Sequence, residues 1–282
     1  MAKFAPKTDP LMTRLRRMLA RGTGNAMSVQ LGILGRMVQH RATSWRSPDQ
    51  LTASYWQGVY TDEARERWNK LAERIARAIA RTASRTDKAQ FKRSVIRAIK
   101  RQHKGGPGTI PTGRDVFILD GPKVAKRMEV YTKYAASLIK NIPDEYLAKV
   151  TTDAQNAYTG KVTHAELKER LVETLQARTA RQQDRCHRIA TDQVRKCSAL
   201  VNQSRCEDNG IEEYIWRCVP DNLVAGKPGG KNPKADDASK FHGDHWSRNG
   251  KKFKWSNPPP DGNAGFPINC RCYAEPIITS FV

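Results

Sequence analysis

Asn209-Gly210-Ile211-Glu212-Glu213-Tyr214-Ile215-Trp216-Arg217-Cys218-Val219 is where the apolar pattern of the chain changes period. Before it, a long helix is expected from about Thr179 to Asn209, with Ile189, Val194 and either Cys197 or Leu200 facing inward. Gly210 closes that helix, because glycine takes the left-handed cap conformation without a Cβ clash. After it, Ile211, Tyr214, Ile215, Trp216, Cys218 and Val219 are rich in β-formers, and Phe253 and Trp255 repeat a two-residue spacing. The expected fold class is therefore α+β: a mostly helical N-terminal and central body with a small C-terminal β-rich module over 211–282. The stretch 222–240, full of glycine, proline, lysine and aspartate, is expected to be an exposed, mobile loop within that module.

Upstream, helical stripes dominate. Leu11, Leu15, Met18 and Leu19 form one, and Val29, Ile33, Leu34, Met37 and Val38 a second. Trp68, Leu71, Ile75 and Ile79 form a third, opened by the acids Asp62 and Glu63, which suit a positive helix start. A fourth segment, Lys88 to Lys104, spaces Phe91, Val95 and Ile99 by four and surrounds them with Lys88, Lys92, Arg93, Arg97, Lys100, Arg101 and Lys104. Such a basic face suits DNA phosphates, which need positive charge but no base-reading residues. Residues 1–105 thus read as a basic helical region and 106–122, after Gly105-Gly106-Pro107-Gly108, as a linker or exposed loop. The short run Val116-Phe117-Ile118-Leu119 fits either a strand or a segment docked on a helix. Residues 123–210 resume helices, with a restart at Asn141-Ile142-Pro143 and a Thr163-x-x-Glu166 capping box ahead of Leu167, Leu171 and Leu175.

Charge and cysteine usage narrow the function classes. The formal net charge of +22 calls for a polyanionic neighbour. DNA, RNA or an anionic membrane would each serve that charge. No apolar run approaches the roughly 20 residues a membrane span requires, so no span is expected, and the partners expected are DNA and protein with no membrane. The start, Met1-Ala2-Lys3-Phe4-Ala5-Pro6-Lys7, has no secretory apolar core, and a reducing, cytoplasmic setting is expected. There, the six cysteines, all at or after Cys186, point to metal ligation or buried thiols instead of disulfides. Cys186 and Cys197 are expected to be buried, and Trp216 and Trp255 to be core.

The candidate metal ligands are His242, His245, Cys270 and Cys272, with Cys218 and Asp221 in reserve. His-x-x-His and Cys-x-Cys each let one turn supply two donors, and zinc is the metal such a set suits. Neighbouring Lys and Arg favour the thiolate form that binds. Asp244, between the histidines, is expected to orient one of them. Four Cys/His ligands leave no open coordination position, so no catalytic residue and no enzymatic activity are expected. The competing reading is a metal-dependent nuclease using the same cluster.

With those residues in order, the chain from about Asn141 to Ile277 resembles the phage Mu protein F-like family of minor head, or head morphogenesis, proteins. The resemblance rests on Ile142-Pro143, on Gly160-Lys161-Val162-Thr163, on Arg188-Ile189-Ala190-Thr191-Asp192, and on a closing series: Trp216, Asp221, His245, Gly250, Phe253, then Asn269-Cys270-Arg271-Cys272. Three departures stand out: the long insertion 222–240, His242-x-x-His245 where some members carry Cys-x-x-Cys or Cys-x-x-His, and Asp192 where glutamate is usual. The resemblance implies a virion component made in the host cytoplasm. Its place would be inside the head near the portal, with the portal protein, the major capsid or scaffold protein, and double-stranded DNA as partners. It also admits a translocated effector carried in the virion.

Overall fold

The computed structural model describes residues 10–46, 50–102, 117–157, 164–219, 221–238 and 243–277, with side chains described throughout these except at 10–13, 94, 97–102 and 164. Six helices are described: α1 (Pro10–Ser44), α2 (Ala53–Gln57), α3 (Asp62–Gln102), α4 (Pro122–Lys140), α5 (Ile142–Ala157) and α6 (His164–Asp208). Three strands follow, β1 (Glu213–Arg217), β2 (Lys252–Lys254) and β3 (Tyr273–Pro276), in one antiparallel sheet ordered β2-β1-β3. The α+β expectation is met. Pairs of stripes that the sequence separates are fused: the first and second lie on α1, the third and fourth on α3, and the leucine helix continues into the long one as α6.

The chain forms two compact units, one of residues 20–78 and 132–190, the other of 1–19, 79–131 and 191–282. Neither follows chain order, and α1, α3, α4 and α6 each give residues to both.

In the first unit, α1 owes its packing to glycine. A Cβ on Gly24 would lie 2.5 Å from His187 Nδ1, and one on Gly35 would collide with Thr179 Cγ2, so α6 comes against the α1 backbone itself. Gln183 uses that closeness to donate to the Ser28 carbonyl at 3.0 Å. Because this small-residue face turns inward with Met27, Leu31, Leu34 and Val38, the neighbouring Val29, Ile33 and Met37 are left exposed. The second stripe is thus only partly core. Elsewhere in the unit Trp68 donates to the Ile139 carbonyl at 2.8 Å, and Tyr146 and Thr179 hydroxyls pair at 2.9 Å. Thr61 starts α3, its Oγ1 accepting from the Ala64 amide, followed by Asp62 and Glu63 in the first turn.

The second unit carries the sheet. Asp208, near the end of α6, receives the amides of Lys123 and Val124, both at 3.2 Å, and so caps the start of α4 with a negative charge. Gly210, at φ 66, closes α6, and the Ile211 amide reaches back to the Cys206 carbonyl at 2.8 Å. Within 117–119 the segment is no strand: Ile118 exchanges hydrogen bonds with the Asn209 side chain, while Phe117 and Leu119 pack on the core. Beneath it a buried ion pair joins Arg205 to Asp87, and Arg205 also donates to the Leu119 carbonyl and to Ser84.

The module core gathers Phe91 and Val95 of α3, Cys206 of α6, Ile211, Tyr214, Trp216, Cys218, Val224, Trp255, Ala264, Cys270, Cys272 and Ala274. Alternation along β1 puts Tyr214 and Trp216 inward. Trp216 and Trp255 are therefore core, as expected, and Cys186 and Cys197 are buried. The inserted loop is largely exposed yet closed on itself: Lys231 donates to the Asn222 carbonyl at 2.7 Å, Gly226 to that of Asn232 at 2.8 Å, and Val224 is buried.

Candidate metal centre

His245, Cys270 and Cys272 are brought together in the second unit as a buried group that can hold a metal ion. Nδ1 of His245 lies 3.5 Å from Cys270 Sγ and 3.7 Å from Cys272 Sγ. A tetrahedral zinc with bonds near 2.3 Å to sulfur and about 2.05 Å to nitrogen separates sulfur from nitrogen by about 3.5 Å and sulfur from sulfur by about 3.75 Å. The spacing and the donor types fit a metal.

Each donor is set by local structure. Cys270 and Cys272 lie on the approach to β3, after a turn in which the Cys270 amide bonds the Pro267 carbonyl at 3.0 Å. Asn269 holds φ 57 there, a conformation asparagine tolerates better than most residues. Its amide donates to Asp192 Oδ1 at 2.8 Å and its carbonyl accepts from Arg195 at 3.1 Å. From α6, Asp192 thus fixes the turn that presents the thiols.

His245 is oriented from its other nitrogen. Nε2 lies 2.7 Å from Asp261 Oδ2, and the ring meets Trp216 edge-on at 5.1 Å. Asp261, with its side chain fully buried, also pairs with Arg248 at 2.5 Å, and Arg248 reaches Asp237 of the inserted loop at 2.6 Å. Burial opposes charging of His245, but hydrogen bonds to Asp261 and Cys270 outweigh it and push its pKa up to about 9. The thiols are coupled. Burial works against ionising Cys270, but hydrogen bonds from Cys272 and His245 hold it well below the usual thiol range, while Cys272 is pushed up by Cys218 and Cys270. These contacts favour thiolate at Cys270, the form that binds a metal.

The sequence expectation is corrected in two places. Asp261, not Asp244, orients the histidine; Asp244 accepts from the Ser247 amide at 2.9 Å instead. Asp261 carries no short-range spacing to His245, and no pattern in the chain marks it. Asp221, held in reserve as a ligand, pairs with Arg271 at 2.5 Å and closes a turn onto the Leu223 amide at 2.8 Å, which accounts for the two motif positions together. His242 lies outside the described residues. Gly250, at φ 85, donates to the Trp216 carbonyl at 2.8 Å where β1 is left behind. Replacing Asp261 by Asn is expected to lower metal affinity by about 10–100-fold, measured by competition with a chelator, because the carboxylate fixes the ring and its tautomer.

Of the expected DNA-binding residues, Lys88 is engaged in an ion pair with Asp120, while Lys92 and Arg93 are exposed. The side chains of Arg97, Lys100 and Arg101, and all of Lys104, lie outside the described residues. What the fourth stripe does not reveal is that the basic register begins earlier on α3. Arg67, Lys70, Arg74 and Arg77 in the first unit, and Arg81 and Arg85 in the second, are exposed at three- and four-residue steps, with Lys70 also paired to Glu66 at 2.6 Å and Arg77 to Glu73 at 3.7 Å.

No family model matches the chain, and no solved structure matches it. Over 170 residues it is 28% identical to an uncharacterized protein of Haemophilus influenzae, a match covering 59% of this chain and 33% of that protein. The chain thus spans about a third of the length of that relative.

Proposed function

We propose that this is a non-enzymatic minor capsid, or head morphogenesis, protein of a tailed bacteriophage, associated with the portal inside the head and lying against packaged double-stranded DNA. The observation that carries the reading is the exposed basic register of α3 in a chain of net charge +22. A helix face with cations at three- and four-residue steps meets a phosphate backbone without reading bases. The ordered series Trp216, Asp221, His245, Gly250, Cys270, Arg271 and Cys272 supports the family reading. Its members have interlocking roles: a core ring, an ion pair, ligands and the turn beside β1. Zinc is the metal we assign to the cluster, since thiolate and imidazole donors at tetrahedral spacing suit it best. Its role is to staple a module whose sheet has only three short strands.

The test is binding of purified protein to DNA fragments of unrelated sequence across a salt series. Affinity should be equal for all sequences and fall steeply with salt. Replacing Arg67, Lys70 and Arg74 by Ala should reduce the slope of log affinity against log salt by about 0.9 for each phosphate that is no longer neutralised. Replacing Arg85 and Lys92 is the second arm. Absent or salt-insensitive binding would overturn the DNA part of the reading, and cleavage of the fragments in the presence of divalent metal would overturn its non-enzymatic part.

A further inference from the structure

The three donors leave one tetrahedral position to be filled, and the sheet supplies a fourth thiol. Cys218 is buried, one residue beyond the end of β1, and its Sγ lies 3.5 Å from Cys272 Sγ. The antiparallel register explains the meeting. Arg217 pairs with Tyr273, so one further step sets Cys218 opposite Cys272, where side chains on facing residues come within contact. The Cys218 amide is held by Asn249 Oδ1 at 3.0 Å, which fixes the strand end just as Asp192 fixes the Cys270 turn.

We infer that Cys218 is the fourth ligand of a closed Cys3His zinc centre, made of Cys218, His245, Cys270 and Cys272, a set complete without His242. The inference rests on the metal reading given above and deepens it. On binding, the three thiols and the imidazole Nδ1 give up any protons they carry to solvent. Three thiolates and a neutral imidazole on a divalent cation leave one net negative charge. Nε2–H of His245 then donates to Asp261, and the buried Arg248 guanidinium, paired with Asp261 and set 5.0 Å above the Trp216 ring, balances that side of the site. The Cys218 thiol donates to the His245 carbonyl at 2.9 Å, which holds the sulfur at the edge of the cluster; ligation requires it to turn from that carbonyl toward the other three donors.

X-ray absorption at the zinc edge, on the full-length protein as purified, counts the donors directly. Three sulfurs and one nitrogen are expected. Two sulfurs with two nitrogens would place His242 in the set, and two sulfurs with nitrogen and oxygen would leave an open position; either overturns the Cys218 assignment while leaving the metal reading intact. A folded protein that holds no zinc and takes up none would overturn the metal reading, and this inference with it. In cobalt-substituted protein, Cys218→Ser should lose roughly a third of the sulfur-to-metal charge-transfer intensity, one thiolate of three, whereas Cys186→Ser should lose none. An unchanged spectrum in folded Cys218→Ser would likewise overturn the assignment.

Discussion

On the proposed zinc reading, removing the metal, or replacing Cys270 and Cys272 together by Ser, is expected to unfold the module around β1, β2 and β3 while α1, α3 and α6 remain helical. Structural zinc contributes about 10–16 kcal/mol in small zinc-dependent peptides, as much as the whole stability of an ordinary domain. Three short strands and a modest core cannot replace it. Hydrogen exchange is the measurement: amides of Glu213–Arg217, Lys252–Lys254 and Tyr273–Pro276 should lose protection in metal-free protein, and helical amides of α6 before Asp192 should keep theirs. Protection unchanged after metal removal would show that the apolar core alone holds the module.

Acid should act in the same direction, since protons compete with the metal for thiolate and imidazole. Asp261 adds to this at lower pH. Burial raises its pKa, but hydrogen bonds from His245 and Arg248 outweigh burial and hold the carboxyl below the usual range. A depressed folded pKa means stability present above the ordinary aspartate value of about 3.9 and lost as pH falls through the lower folded one. Loss of metal should therefore come first on acidification, and loss of the Asp261 contacts second.

Asp87→Ala should cost up to about 3–5 kcal/mol in urea unfolding, because it removes the buried carboxylate facing the Arg205 guanidinium and leaves it only the exposed Asp120, 3.7 Å away. Both side chains are nearly inaccessible, at 0% exposure for Arg205 and 4% for Asp87. Burial pushes the Asp87 carboxyl up, against the pull of Arg205 and Arg16; the desolvation of both ions offsets much of their attraction, as in buried ion pairs generally. The corollary separates the two effects: adding Arg205→Met to Asp87→Ala should recover part of the loss. It cannot recover all of it, since the Leu119 carbonyl and Ser84 would lose their donor. A single variant as stable as the parent would mean that water reaches the guanidinium.

Several of these features are legible in the chain because they are local. Helical periodicity, the Gly210 cap, the β-forming run after it and the Cys-x-Cys spacing depend on neighbours within a few residues, and each is found. Element lengths are harder to read. The stripes of α1 and α3 shift around the helix, and in α1 only the partner packed on Gly24 and Gly35 decides which stripe is core. Sequence spacing also cannot show that Lys88 pairs with Asp120 while Lys92, Arg93, Arg74 and Arg85 are exposed.

By itself the sequence determined the α+β class, the strongly basic charge and a pool of candidate donors, His242, His245, Cys270 and Cys272 with Cys218 and Asp221 in reserve, for these are written in composition and short spacings. Only the tertiary structure decided the rest of the site. Cys218 meets Cys272 across 54 residues through the β1–β3 register, Asp261 meets His245 across 16, and Asp192 meets Asn269 across 77. Strand pairing and loop closure bring such residues together after the chain has folded, and no local pattern of residues encodes those distances.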